Sequence, residues 1–156
     1  MITNILVLNR DRVETAIRNK EKASNWYLIS IYGKSPELLT KTNTEILTEM
    51  GCKKAISLEF WDLTPEDLTD QLKQRYPNVV LFNEDHAKRI INFLDEIKNC
   101  KEPSLLIVHC DAGISRSGAV GEFASDYFGL SYEQFCKDND VLPNAHIKAL
   151  LRRMAC

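Results

Sequence analysis

Leu105-Leu106-Ile107-Val108-His109-Cys110-Asp111-Ala112-Gly113-Ile114-Ser115-Arg116-Ser117-Gly118 joins an apolar run, a glycine-containing loop and a helical pattern without interruption. Leu105 to Val108 do not alternate with polar residues, which predicts a strand covered on both faces. Cys110 then stands where that strand leaves its sheet, the edge at which α/β folds bind ligands. The loop is expected to run from Cys110 to Arg116. From Ser117 onward Val120, Phe123, Ala124 and Tyr127 recur on one face of a helix. The loop therefore ends at a helix N-terminus, whose unpaired N–H groups and positive dipole end attract anions.

A thiolate is also an anion, so the same surroundings favour the reactive form of Cys110, and the permanently charged Arg116 adds to the effect. A planar guanidinium grips two oxygens of a phosphoryl group side by side, which an ammonium cannot do with the same geometry. The candidate binding set is the loop itself, Asp111, Ala112, Gly113, Ile114 and Ser115, together with Arg116. Cysteine, arginine fork and amide cup together predict phosphoryl transfer to sulfur. The bland alternative is a buried thiol at a strand end, since free cysteine is often buried.

His109, Cys110, Gly113, Arg116 and Ser117 form His-Cys-x-x-Gly-x-x-Arg-Ser, which resembles the signature of the cysteine-dependent protein tyrosine and dual-specificity phosphatases. The resemblance extends to a strand followed by aspartate, Leu58 to Asp62, and to Pro143-Asn144 before a helix, as in small bacterial-type members. The first fifty residues match only loosely. The resemblance implies a phosphatase-like α/β fold, a phosphocysteine intermediate, and neither cofactor nor metal. It also implies an upstream aspartate as general acid. Asp62 beside Trp61 is the first candidate, although the proline of the family's Trp-Pro-Asp loop is missing; Asp85 and Asp67 are the alternatives. Ser117 is implied as a hydrogen-bond partner of the cysteine sulfur, and on its own chemistry it is equally a helix N-cap. His109 is implied as an orienter of the loop. The expected substrate is a phosphorylated protein, phosphotyrosine foremost, or a small phosphomonoester. Asp111 is expected to repel polyanionic head groups. A catalytically weak phosphate-binding module and a sulfur-transfer or arsenate-reducing enzyme are the competing readings.

The whole chain sets bounds on these expectations. Its 156 residues suit one domain, residues 1–156, with a core of its own. Twenty basic and twenty-two acidic side chains balance to −2 without long blocks of either sign, which points away from nucleic acid or a membrane surface as partner. Five cysteines without a C-x-x-C pair argue against a disulfide framework or a zinc site and for a reducing, cytoplasmic setting. Neither a leader nor a membrane span is expected from the hydropathy pattern.

In chain order, Ile5–Leu8, Trp26–Ile31 and Ala55–Phe60 are the other predicted strands. Helices are expected after Asn9 or Asp11, after Thr42 with a Thr42–Glu45 capping box, from Thr64 through Arg75, from Asn83 or Asp85, after Ser131 with Gln134 as box partner, and after Asn144. This alternation predicts an α/β fold with a mostly parallel sheet of about four to five strands and helices on both faces. Trp26, Tyr27 and Tyr32 read as core ahead of cleft. His86 and His146 read as surface or internally satisfied residues, and Cys52, Cys100, Cys136 and Cys156 as passive.

Overall fold

The computed structural model describes residues 1–156. Strands β1 (Ile2–Asn9), β2 (Trp26–Tyr32), β3 (Cys52–Glu59) and β4 (Ser104–Cys110) form one sheet in the order β1-β4-β2-β3. Every pairing is parallel. The expected α/β class holds, with four strands and no antiparallel partner. β4 lies inside the sheet with both of its faces covered, which is why its residues show no polar alternation. Leu106 and Val108 are fully buried on one face, while Leu105 and Ile107 pack against the core of the other.

Helices α1 (Arg10–Arg18) and α2 (Lys41–Glu49) cover that second face, pressing Val13, Ile17 and Leu47 onto Trp26 and Leu28. The connection from β3 to β4 carries a 3₁₀ turn (Pro65–Asp67), α3 (Asp70–Arg75) and α4 (Glu84–Ile97). After β4 come α5 (Arg116–Tyr127), α6 (Tyr132–Asp138) and α7 (Ala145–Ala155). α4, α5 and α7 bury Ile90, Leu94, Val120, Ile147 and Leu151 against Ile29, Ile31, Leu106 and Val108. Each fully buried leucine here is worth about 2 kcal/mol of transfer free energy. The chain leaves β2 toward one face and β4 toward the other. Their C-terminal ends diverge, and a crevice opens at that edge of the sheet.

The local rules explain most boundaries. Asn9, Asn83 and Asn144 accept from the first-turn amides of α1, α4 and α7. Gly129 supplies the left-handed residue (φ +69) that ends α5. Three expectations are corrected. α2 is capped by Thr40, whose hydroxyl accepts from Asn43 N at 3.1 Å, so Thr42 and Glu45 form no box. Leu38, 3% exposed, pins the chain just upstream and fixes that earlier start. The expected helix from Thr64 to Arg75 is two pieces: Asp67 turns back on Thr64 N, Leu68 leaves helical geometry, and Thr69 caps α3 anew. Neither piece contains a buried residue, so no core face holds them in one axis. Ser131 caps α6, but Gln134 reaches Asp138 instead of closing the box.

Candidate active site

Cys110 ends β4 and is 2% exposed. Gly113 N donates to its Sγ at 3.3 Å, and Ser117 Oγ lies 3.0 Å from the same sulfur. Ser117 is the second residue of α5 and fully buried, which corrects its reading as an N-cap. Ser115 holds the cap position without a side-chain cap bond. The amides of Asp111, Ala112, Ile114, Ser115 and Arg116 donate to no protein acceptor. They leave a set of free N–H groups at the start of α5, the arrangement that binds oxyanions. Gly113 adopts φ +70, and a Cβ there would sit 2.6 Å from Asn9 N, so this turn admits only glycine. The loop is tied from outside by Arg10 N to Asp111 O, Leu142 N to Ile114 O and Asn144 N to Ser115 O, each 3.1 Å.

Arg116 is 8% exposed, with Nη1 donating to Phe60 O at 3.0 Å and Nη2 to Asp111 Oδ2 at 3.1 Å. Ser35 Oγ donates to the other Asp111 oxygen at 2.7 Å. Burial works to raise the Asp111 carboxyl. The hydrogen bonds from Ser35 and Arg116 and the nearby positive charges outweigh it and hold the group below the ordinary aspartate value. Asp111 is thus an ionised partner of Arg116. It lines the pocket beside the loop while paired with that guanidinium. Three of the five guanidinium N–H groups, including Nε–H, remain after these two bonds. Gly33 passes so close to Arg116 Nη1 that a Cβ would stand 3.0 Å from it.

A pocket of ≈ 260 Å³ adjoins the loop, lined by Arg116, Asp111, Asp62, Trp61, Tyr76 and Lys34 among others. Lys34 Nζ stands 4.3 Å from the centre of the Tyr76 ring and 5.4 Å from that of Trp61. Asp62 follows β3 and is exposed, yet its Oδ1 accepts from both Ser115 Oγ (2.7 Å) and Asn144 Nδ2 (3.0 Å). The other two carboxyl candidates are elsewhere. Asp67 is engaged with Thr64, and Asp85 lies in the exposed first turn of α4; neither lines this pocket.

His109 is fully buried, with Nε2 2.7 Å from Ser30 Oγ and Nδ1 3.4 Å from Cys110 O. A carbonyl only accepts, so Nδ1 carries the proton, and Nε2 of the neutral ring accepts from Ser30. Burial pushes its pKa down from 6.5 to about 4, against the opposing pull of the Cys110 carbonyl. The folded state therefore resists protonation that the unfolded chain accepts from pH 6.5 downward. Stability is full above that pH, falls toward pH 4, and stops falling through this group below it. Between those limits the wild type is expected to lose up to about 3 kcal/mol more than His109→Gln, read from urea unfolding at several pH values. Parallel pH dependences in the two proteins would mean that His109 is not held neutral.

The remaining candidates lie outside the site. His86 accepts from Asn83 N through Nδ1, and His146 Nε2 meets Phe82 O, so both are internally satisfied. Trp26 and Tyr27 are core residues, and Tyr32 is half-buried at the end of β2 without lining the pocket. All five cysteines are free. No three of the His, Cys, Asp and Glu side chains gather as metal ligands would, and no helix is long and apolar enough to cross a membrane. Sequence reasoning missed Ser30, Ser35, Lys34, Tyr76 and the carbonyl of Phe60. Ser30 is placed only by the register of β2 beside β4, which pairs it with His109.

No protein-family model matches the chain, and no curated protein matches it. Among solved structures it is similar to the crystal structure of human tyrosine phosphatase-like serine/threonine/tyrosine-interacting protein. That comparison has 16% identity, covers 94% of this chain and 84% of that one, and gives a TM-score of 0.41.

Proposed function

We propose that residues 1–156 form one catalytic domain of a phosphomonoester hydrolase that works through a phosphocysteine, in the manner of the protein tyrosine and dual-specificity phosphatases its loop resembles. The observation that carries this is the sulfur of Cys110 beside the free amides of the loop, with Ser117 Oγ at 3.0 Å. An anion held by those amides and by the remaining N–H groups of Arg116 puts phosphorus in reach of the thiolate. In the first step the S–P bond forms, the P–O ester bond breaks, and Asp62 gives its proton to the departing oxygen. In the second, Asp62 takes a proton from water, the water oxygen bonds to phosphorus, and the S–P bond breaks. Ser117 O–H donates to the sulfur as it leaves, which eases that departure. No step asks for a metal or cofactor. Trp61 and Tyr76 beside the pocket favour an aryl phosphate, hence phosphotyrosine in a protein or a small phosphomonoester. The need for a free thiolate fits a reducing, cytoplasmic setting.

Leaving groups test the acid. Asp62→Ala is expected to slow phenyl phosphate turnover by about 10²–10⁴-fold, the usual worth of general acid catalysis. Para-nitrophenyl phosphate should suffer far less, because its phenolate departs without a proton. The fall in rate at high pH, where the wild type loses its protonated acid, should weaken in the variant. Should Asp85→Ala show the leaving-group-dependent loss instead, the proton donor stands at the start of α4. A wild type that binds phosphate but turns over neither ester would be a binding module.

A further inference from the structure

Asp62 follows β3 on an exposed stretch, and no ion pair holds it: of the charged groups in the same pocket, Arg116 is paired with Asp111, and Lys34 stands over Tyr76. Two neutral donors fix it instead, and both reach the same oxygen, Oδ1. Each comes from a helix start. Ser115 occupies the N-cap position of α5, yet its hydroxyl makes no cap bond and is committed to Asp62. Asn144, 9% exposed, caps α7 through Oδ1, which accepts from Ile147 N at 3.1 Å. Its backbone N donates to Ser115 O, and its Nδ2 to Asp62. Capping alone leaves that last bond unexplained, since serine, threonine and aspartate cap as well as asparagine. None of those three both caps and offers an amide donor at that reach.

We propose that Ser115 and Asn144 are positioning residues for the proton transfer, occupying Asp62 Oδ1 so that Oδ2 is the oxygen that gives the proton to the leaving group and takes one from water. This rests on Asp62 being the general acid. In a protonated carboxyl one oxygen accepts and the other carries the proton. With two donors on Oδ1, a proton placed there would displace a hydrogen bond, whereas Oδ2 carries it without loss. Both half-reactions then use one oxygen: Oδ2–H breaks as the ester oxygen gains its proton, and Oδ2–H forms again as water gives up one. The clamp also ties the acid to the loop residue next to Arg116 and to the start of α7, so acid and phosphate site share one frame.

The test uses the full chain with phenyl phosphate and para-nitrophenyl phosphate. Ser115→Ala removes one donor at a position whose side chain does no capping, and Asn144→Ser keeps a good cap while falling short of Asp62. Each is expected to lower kcat for phenyl phosphate by about 10-fold to 10²-fold, the range for a misplaced catalytic group. Melting temperature should hardly change, and para-nitrophenyl phosphate turnover should fall less, because its phenolate departs without a proton and only the shared hydrolysis of the phosphocysteine then draws on Asp62. Asn144→Asp keeps the cap but sets a carboxylate against Asp62, and the high-pH fall of kcat should move about one pH unit upward or more, because a like charge favours the protonated acid. Equal losses on both substrates, or wild-type rates in Ser115→Ala and Asn144→Ser together with an unmoved profile in Asn144→Asp, would overturn the clamp. If this happens while Asp62→Ala keeps its leaving-group dependence, Asp62 remains the acid and only the clamp fails. If Asp62→Ala shows no such dependence, both fall together.

Discussion

Cys110→Ser abolishes turnover of phosphotyrosine peptides and para-nitrophenyl phosphate but leaves phosphate binding within a few-fold of wild type: this is the expected result if the sulfur is the nucleophile. A serine hydroxyl is almost wholly protonated at neutral pH, and His109 is no base for it: its Nδ1 donates to Cys110 O, and its Nε2 is taken by Ser30. Loss of a nucleophile of this kind costs on the order of 10⁶ in rate. Binding survives because the amides of Asp111, Ala112, Ile114 and Ser115, and Arg116, are untouched. Steady-state kinetics and calorimetric titration with inorganic phosphate check both halves. A serine variant that turns over normally would remove the phosphocysteine from the mechanism, and one that no longer binds phosphate would mean that the loop amides and Arg116 do not hold the anion.

The second large effect is expected at Arg116. Its guanidinium satisfies Phe60 O and the Asp111 carboxylate from a position 8% exposed, and it still has N–H groups for a phosphoryl oxygen pair. A lysine ammonium has three donors on one atom and cannot span these partners in a plane. Arg116→Lys should therefore lower kcat/KM by roughly 10³–10⁵, the worth of an arginine that meets transferring phosphoryl charge. Both terms should contribute, KM rising and kcat falling. The variant should also lose about 1–3 kcal/mol of stability, because a buried carbonyl or carboxylate is left short of a donor. Circular dichroism melts separate the two losses. Near-wild-type kinetics in Arg116→Lys would mean that the loop does not grip phosphate as argued.

Much of this site was legible before folding because its central chemistry is contiguous. Cys110, the amides after it, Gly113, Arg116 and Ser117 lie in one short stretch, and local rules alone deliver them to a strand end and a helix start. Asp62 was legible as a strand-exit carboxylate with no capping duty. Ser117 was legible both as a partner of the sulfur and as a cap; α5 begins one residue earlier than expected, and the hydroxyl is turned to the sulfur. The segment from Thr64 to Arg75 was misread. Its local signals favour a helix, but no core face below it keeps the two turns aligned.

The sequence by itself determined the alternation of strands and helices, the doubly covered β4, and the placing of Cys110 and Arg116 at the two ends of one loop, since each is written in periodicity or in spacing along a few neighbours. Only the tertiary structure decided what surrounds them. The order β1-β4-β2-β3 brings Ser30 beside His109, and the ends of β2 and β3 bring Ser35, Lys34 and Phe60 O to Asp111, Arg116 and their pocket. The start of α7 brings Asn144 onto Asp62, which lies 82 positions earlier in the chain. Such contacts depend on which strands become neighbours and on which face each crossover takes, and buried area settles that over the whole chain rather than any residue's own preference.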